Sequence, residues 1–160
     1  EFKYICHGRR NDGEGGFMGE FRLRRVPAGN GEEVDLSKNW TIYLKDNDTI
    51  LKSFPCKVKC AMARKTVMIP EKYRNKTVWL EVKAAKPDMI TFVSTNGRVR
   101  YHGRHGSASW LGAMWINITP DIKFGAENDI IIGNREVLTW KNFEGKEIDF
   151  EYAKLIFCNK

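Results

Sequence analysis

The sequence predicts an all-β fold, an antiparallel β-sandwich or barrel with little or no helix. Three observations predict it. Short stretches rich in β-branched and aromatic residues recur along the chain with turn signals between them. Several of these stretches alternate apolar and polar residues, while helical periodicity is nearly absent. The length, 160 residues, fits one domain and falls well short of the ~250 residues of a (β/α)8 barrel.

The elements follow in chain order. Residues 8–19 carry five glycines and read as a turning loop; their spacing does not lead from a strand into a helix, which discards a dinucleotide fingerprint. Residues 27–33, Pro-Ala-Gly-Asn-Gly-Glu-Glu, are a second turn-rich stretch. The chain therefore divides into a glycine-rich N-terminal strand-and-loop region, 1–33, and a core, 34–160, within one domain of 1–160. Strands are expected at 39–44, at 65–69 with Pro70 as the stop, and at 77–83, where Val78, Leu80 and Val82 share a face. Residues 89–95 run into Asn96-Gly97, the strongest short hairpin signal. Residues 114–119 alternate and meet Pro120, 129–133 carry three isoleucines, and 148–158 close the chain. Residues 70–74 read as a single helical turn.

Composition bounds the function classes. With 27 Lys+Arg against 20 Asp+Glu the net charge is +7, which fits either an anionic partner or a solvated surface. A hydrophobic share of 42% and a charged share of 29% exclude disorder. No apolar run reaches the ~20 residues of a membrane-spanning helix, so no membrane partner is expected. The N-terminus lacks the apolar segment of a signal peptide. Of the four cysteines, Cys56 and Cys60 stand too far apart along an extended segment to pair, whereas Cys6 and Cys158, near the two termini, leave both a disulfide and free thiols open. No second Cys or His pair supports a zinc site. No P-loop, nucleophile elbow or zinc-protease motif is present, so a self-standing enzyme is not expected.

From Arg64 to Asn134 a set of motifs stands in fixed order. A strand ends at Pro70 and a short helical turn follows. The strand Thr77-Val78-Trp79-Leu80-Glu81-Val82 comes next, then a strand into Asn96-Gly97 and the loop Gly103-Arg104-His105-Gly106. Asn117-Ile118-Thr119 ends a further strand, and Gly125-Ala126-Glu127-Asn128 turns into the last. In this order the chain resembles the galactose-binding-like jelly roll, above all the sugar-binding domain of glycoside hydrolase family 2 and related carbohydrate-binding modules. The resemblance covers roughly 70 residues; residues 107–112 and the basic stretch after Asn96-Gly97 depart from the family pattern.

The resemblance implies a jelly-roll β-sandwich that is not itself catalytic. As implied by it, the chain is expected to be a carbohydrate-binding module for a plant or microbial polysaccharide, attached to a catalytic domain and placed outside the cell or on its surface. The alternatives are a structural accessory domain of a glycosidase with no sugar binding of its own, and a nucleic-acid-binding module, whose mark would be binding that survives about 200 mM salt. Sugar recognition calls for an aromatic face and planar polar groups. The candidates are Trp110, in a small-residue loop, and Trp115, whose neighbours Met114, Ile116 and Ile118 share the opposite face. Around them stand the basic stretch Arg98, Arg100, Tyr101, His102, Arg104 and His105. Arg98, Arg100 and His102 alternate and would project from one face, either as an arginine-lined site for an acidic sugar or as a basic edge strand that discourages pairing. No cofactor is expected. Jelly rolls of this kind often hold a structural calcium, for which Asp46, Asp48 and Asp121 are the candidate oxygens; the metal is left open. Four Asn-x-Thr sequons occur, at Asn39, Asn47, Asn75 and Asn117; those at Asn39 and Asn117 fall at expected strands, an awkward place for a glycan.

Overall fold

The structure, a computed structural model, describes residues 2–7, 22–27, 31–44, 48–59, 62–85, 90, 92–102, 113–134 and 147–160. Among the described residues there are thirteen strands: β1 Phe2–His7, β2 Arg22–Pro27, β3 Glu32–Asp35, β4 Trp40–Tyr43, β5 Thr49–Lys52, β6 Cys56–Lys59, β7 Met62–Ile69, β8 Lys76–Ala84, β9 Phe92–Thr95, β10 Arg98–His102, β11 Ala113–Asn117, β12 Ala126–Gly133 and β13 Glu147–Asn159. Helix is confined, among the described residues, to two 3-10 turns, Glu71–Tyr73 and Thr119–Asp121, and none is long and apolar enough to cross a membrane.

Every strand pairing is antiparallel. One sheet has six strands in the order β10-β9-β12-β7-β4-β5. The other runs β11-β8-β13-β3, with β6 also paired to β13, and β1 and β2 form a separate ladder. The two larger sheets make a β-sandwich, as the alternation predicts. Trp40, Ile42, Ala63, Ile69, Val93, Ile130 and Ile132 of one sheet meet Val78, Leu80, Val82, Met114, Ile116, Phe150, Leu155 and Phe157 of the other. Each large buried side chain contributes roughly 1.5–3 kcal/mol by leaving water. Phe54 stacks between Trp40 and Phe150, with ring centroids 5.2 and 4.6 Å away, and the Trp40 indole N–H donates to the Leu36 carbonyl at 2.6 Å.

Most expected elements recur with shifted ends. The strand placed at 89–95 is shorter at its start within the described residues, and β3 crosses the expected division at 33/34. Asn96 and Gly97 both have positive φ, 51° and 78°, the backbone of a two-residue hairpin turn. Cys56 and Cys158 are free thiols, so the Cys6–Cys158 bond is not formed. The glycine-rich loop at 8–19 lies outside the described residues.

Candidate functional site

Two β-bulges decide what the two sheets present. In β10 the register slips between Val99, paired with Ser94, and Tyr101, paired with Val93. Arg100 is thereby the extra residue, and the unbroken alternation expected from Arg98 through His102 is interrupted, because a bulge shifts the two-residue period by one. β10 is the edge of its sheet. Arg100 turns onto the 3-10 turn at Thr119–Asp121 and grips the Asp121 carboxylate with both Nε and a terminal nitrogen. That carboxylate is 1% exposed, while the Arg98 side chain, 76% exposed, stands 3.8 Å from it. The Arg100 hydrogen bonds hold the Asp121 carboxyl below the usual aspartate range, against the opposing effect of burial. Arg100 is therefore engaged within the fold with its side chain 27% exposed, and Arg98 is the more exposed of the pair. Both oxygens of Asp121, one of the candidate calcium ligands, are engaged by the arginine. Asp48 is exposed, Asp46 lies outside the described residues, and no group of three or more His, Cys, Asp or Glu comes together among the described residues.

Beside this pair the sequence motifs meet in one knot. The Asn96 amide donates to the Asp121 carbonyl (2.6 Å) and to Asn128 Oδ1 (2.8 Å), and Asn96 Oδ1 accepts from the Asp129 N–H (2.9 Å). Asn128, fully buried, also accepts from the Lys123 N–H at 2.8 Å and donates to the Lys123 and Ala126 carbonyls at 2.8 and 2.9 Å. The Asn-Gly turn and the Gly-x-Glu-Asn turn are thus parts of one fold-holding cluster. Buried amides with every group satisfied rigidify what they join.

The second bulge lies in β13. Phe150 pairs with Ala84 and Tyr152 with Lys83, so Glu151 is the extra residue. Ile148 and Phe150 face the core before it, and Ala153, Leu155 and Phe157 after it. Tyr152 and Lys154 are thereby sent to the outer face. There the register aligns Trp115 with Glu81 and Glu81 with Lys154. Trp115 is half-buried, and its indole N–H donates to Glu81 Oε2 at 2.9 Å. The Tyr152 hydroxyl donates to Glu81 Oε1, and Lys154 Nζ lies 3.6 Å from Glu81 and 2.9 Å from Glu33. Glu81 is 6% exposed: a carboxylate on the outer side of a sheet, nearly dry, held by two hydrogen-bond donors and an ion pair with Lys154. Trp79, on the same face, is buried with an indole N–H that has no hydrogen-bond partner among the described residues.

Burial, followed by the hydrogen bond to Glu81, pushes the Tyr152 phenol above the usual tyrosine value of 10.0. A group whose folded value is raised stabilises fully below its unfolded value and loses that contribution as pH climbs toward the folded one. Tyr152→Phe is expected to cost about 1 kcal/mol at pH 7. It should also flatten the fall of stability above pH 10, read from urea midpoints across the alkaline range.

Of the sequence candidates, Trp115 points outward as expected, Arg98 is exposed and Arg100 is engaged with Asp121. Tyr101 and His102 are placed only as strand positions of β10. Trp110, Arg104 and His105 lie outside the described residues. Sequence reasoning passed over Glu81, Tyr152 and Lys154. The available signal was a glutamate inside an otherwise apolar run, Val78-Trp79-Leu80-Glu81-Val82.

No family model and no curated protein matches the sequence. Solved structures do match the fold. A β-D-glucuronidase from Dictyoglomus thermophilum superposes with a TM-score of 0.60 at 18% identity, over 84% of this chain and 29% of that one. A glycosyl hydrolase family 2 member from Bacteroides cellulosilyticus gives 0.55 at 16% identity, over 79% of this chain and 21% of that one. A β-glucuronidase from Ruminococcus gnavus gives 0.56 at 14% identity, over 83% and 29%. The likeness is one of fold. It agrees with the resemblance carried by the sequence motifs, and this chain spans less than a third of each of these three glycosidase chains.

Proposed function

We propose that this chain is a non-catalytic β-sandwich domain of a glycosidase, working beside a catalytic body outside the cell or on its surface. One observation carries the reading. The sandwich superposes on glycosidase chains over about four-fifths of its own length while accounting for under a third of theirs. The buried carboxylates support it: Asp121 is held by Arg100, and Glu81 by Trp115, Tyr152 and Lys154. Groups engaged in this way hold structure rather than serve as the acid and nucleophile of glycoside hydrolysis, which need a set separation across the scissile bond. The chain alone is expected to release no product from aryl glucuronides, glucosides, galactosides or mannosides. Turnover that Glu81→Gln abolishes would overturn the reading.

A second reading, binding of an acidic polysaccharide, is favoured by Trp115 and Arg98. The indole is held by its N–H edge, which fixes the ring without using its faces, and Arg98 offers an exposed guanidinium suited to a carboxylate. Trp110, Tyr101, His102, Arg104 and His105, in and beyond β10, would complete such a surface. Affinity electrophoresis through gels loaded with neutral and uronic polysaccharides tests it. Retardation by a uronic polymer, weakened in Arg98→Ala and Trp110→Ala, supports binding; unchanged mobility in every gel leaves the accessory-domain reading standing alone.

A further inference from the structure

Four Asn-x-Thr triplets are more than this composition explains. Half of the eight threonines close one, whereas 11 asparagines and eight threonines placed at random in 160 residues would give fewer than one. Three of the four asparagines, Asn39, Asn75 and Asn117, are described, and all three are exposed. Asn117 ends β11 on the outward side, so the strand that made this position look awkward instead presents it to solvent.

Two features set Asn117 apart. Its Oδ1 accepts from the Thr119 N–H at 3.0 Å and from the Thr119 hydroxyl at 2.6 Å, and its Nδ2, the atom a glycan would take, has no partner among the described residues. Trp115 precedes it by two positions on the same face, roughly 6.6 Å along a strand, and is half-buried and pinned by Glu81. A pyranose carried on Asn117 lies within reach of that indole, and the apolar C–H face of a sugar packs well on an aromatic ring. Tyr73 holds the same position before Asn75, but it is buried and stacked on Phe157 with centroids 3.8 Å apart, leaving no ring face for a sugar.

We propose that Asn117 is an N-glycosylation site whose first sugar packs on Trp115. The donor is a lipid-linked oligosaccharyl diphosphate. A bond forms between Asn117 Nδ2 and the sugar C1 while the C1–O bond to the diphosphate breaks. The lipid diphosphate leaves with the electron pair, and the amide proton passes to a base of the transferase. The sugar on Trp115 is then the chain's own rather than that of an external polysaccharide.

The test routes the full chain through the endoplasmic reticulum of eukaryotic cells behind a signal sequence. Occupancy is read by peptide mass spectrometry after peptide-N-glycosidase treatment in heavy-oxygen water. Asn117 is expected to be converted to labelled aspartate; an Asn117 peptide unmodified throughout the product overturns the site. Removing the glycan should lower the melting temperature by about 3 °C in the wild type and by much less in Trp115→Ala; an equal drop in both overturns the packing. Should Trp115→Ala not fold, the wild type alone decides by NMR: ring protons of the first sugar shift upfield over the indole, and unshifted protons overturn the contact. Retardation of the glycosylated protein in polysaccharide gels that depends on Trp115 would assign the ring to an external sugar and also overturn the proposal.

Discussion

Arg100→Ala is expected to lower the stability of the sandwich by about 3 kcal/mol, whereas Arg98→Ala changes it by less than about 0.5 kcal/mol. Both arginines lie near one carboxylate, so the contrast comes from geometry and burial. Arg100 engages both oxygens of Asp121, which is 1% exposed, while Arg98 stands 3.8 Å away with its side chain 76% exposed. Removing Arg100 leaves a buried charge without its partner, which costs far more than an exposed pair gains. Urea unfolding of both variants beside the wild type reads the difference, and similar midpoints for the two would refute it. The pH dependence follows from the same pair. A depressed folded value means that Asp121 stabilises fully above the unfolded aspartate value and loses that contribution as pH falls through the folded one. The wild type therefore gives up this stability only below about pH 4. In Arg100→Ala burial is opposed only by the more distant Arg98, so the folded value rises and the acid loss contributed by Asp121 should shrink.

Asn128→Ala is expected to cost about 3–5 kcal/mol, because it strips four hydrogen bonds from a site with no access to water. The Lys123 N–H and the Lys123 and Ala126 carbonyls all lose their side-chain partner, and Asn96 loses one of its two acceptors. Asn128→Asp keeps the shape yet sets a carboxylate oxygen against two carbonyls where an amide donated, so it should destabilise by a similar amount. Denaturant midpoints for both variants test this. Wild-type stability in either would mean that the cluster is not what ties the β9–β10 turn to the start of β12.

The sandwich was legible because its signals are local. Alternation at Val78, Leu80 and Val82 and at Met114, Ile116 and Ile118 marks the inward faces, and all six are buried. Asn96-Gly97 marks the hairpin and carries the two positive φ angles. Less of the candidate site was legible. Trp115 could be placed outward from its neighbours alone, but its partner Glu81 is 34 residues distant in sequence and Tyr152 is 71 from Glu81. The basic stretch was visible as charge, while the division of labour between Arg98 and Arg100 was not, because a period-two reading assumes an unbroken ladder.

The sequence by itself determined the fold class, the inward faces of the strands and the order of the turns, since these follow from side-chain size and polarity over a few residues. The tertiary structure alone decided the outer-face cluster and the edge. One extra residue at Glu151 turns Tyr152 and Lys154 outward to meet Glu81, and one at Arg100 interrupts the alternation expected for the basic strand. A bulge is set by the register between strands distant in the chain, so no local pattern announces it, and it is register that carried Trp115, Glu81 and Lys154 into one row.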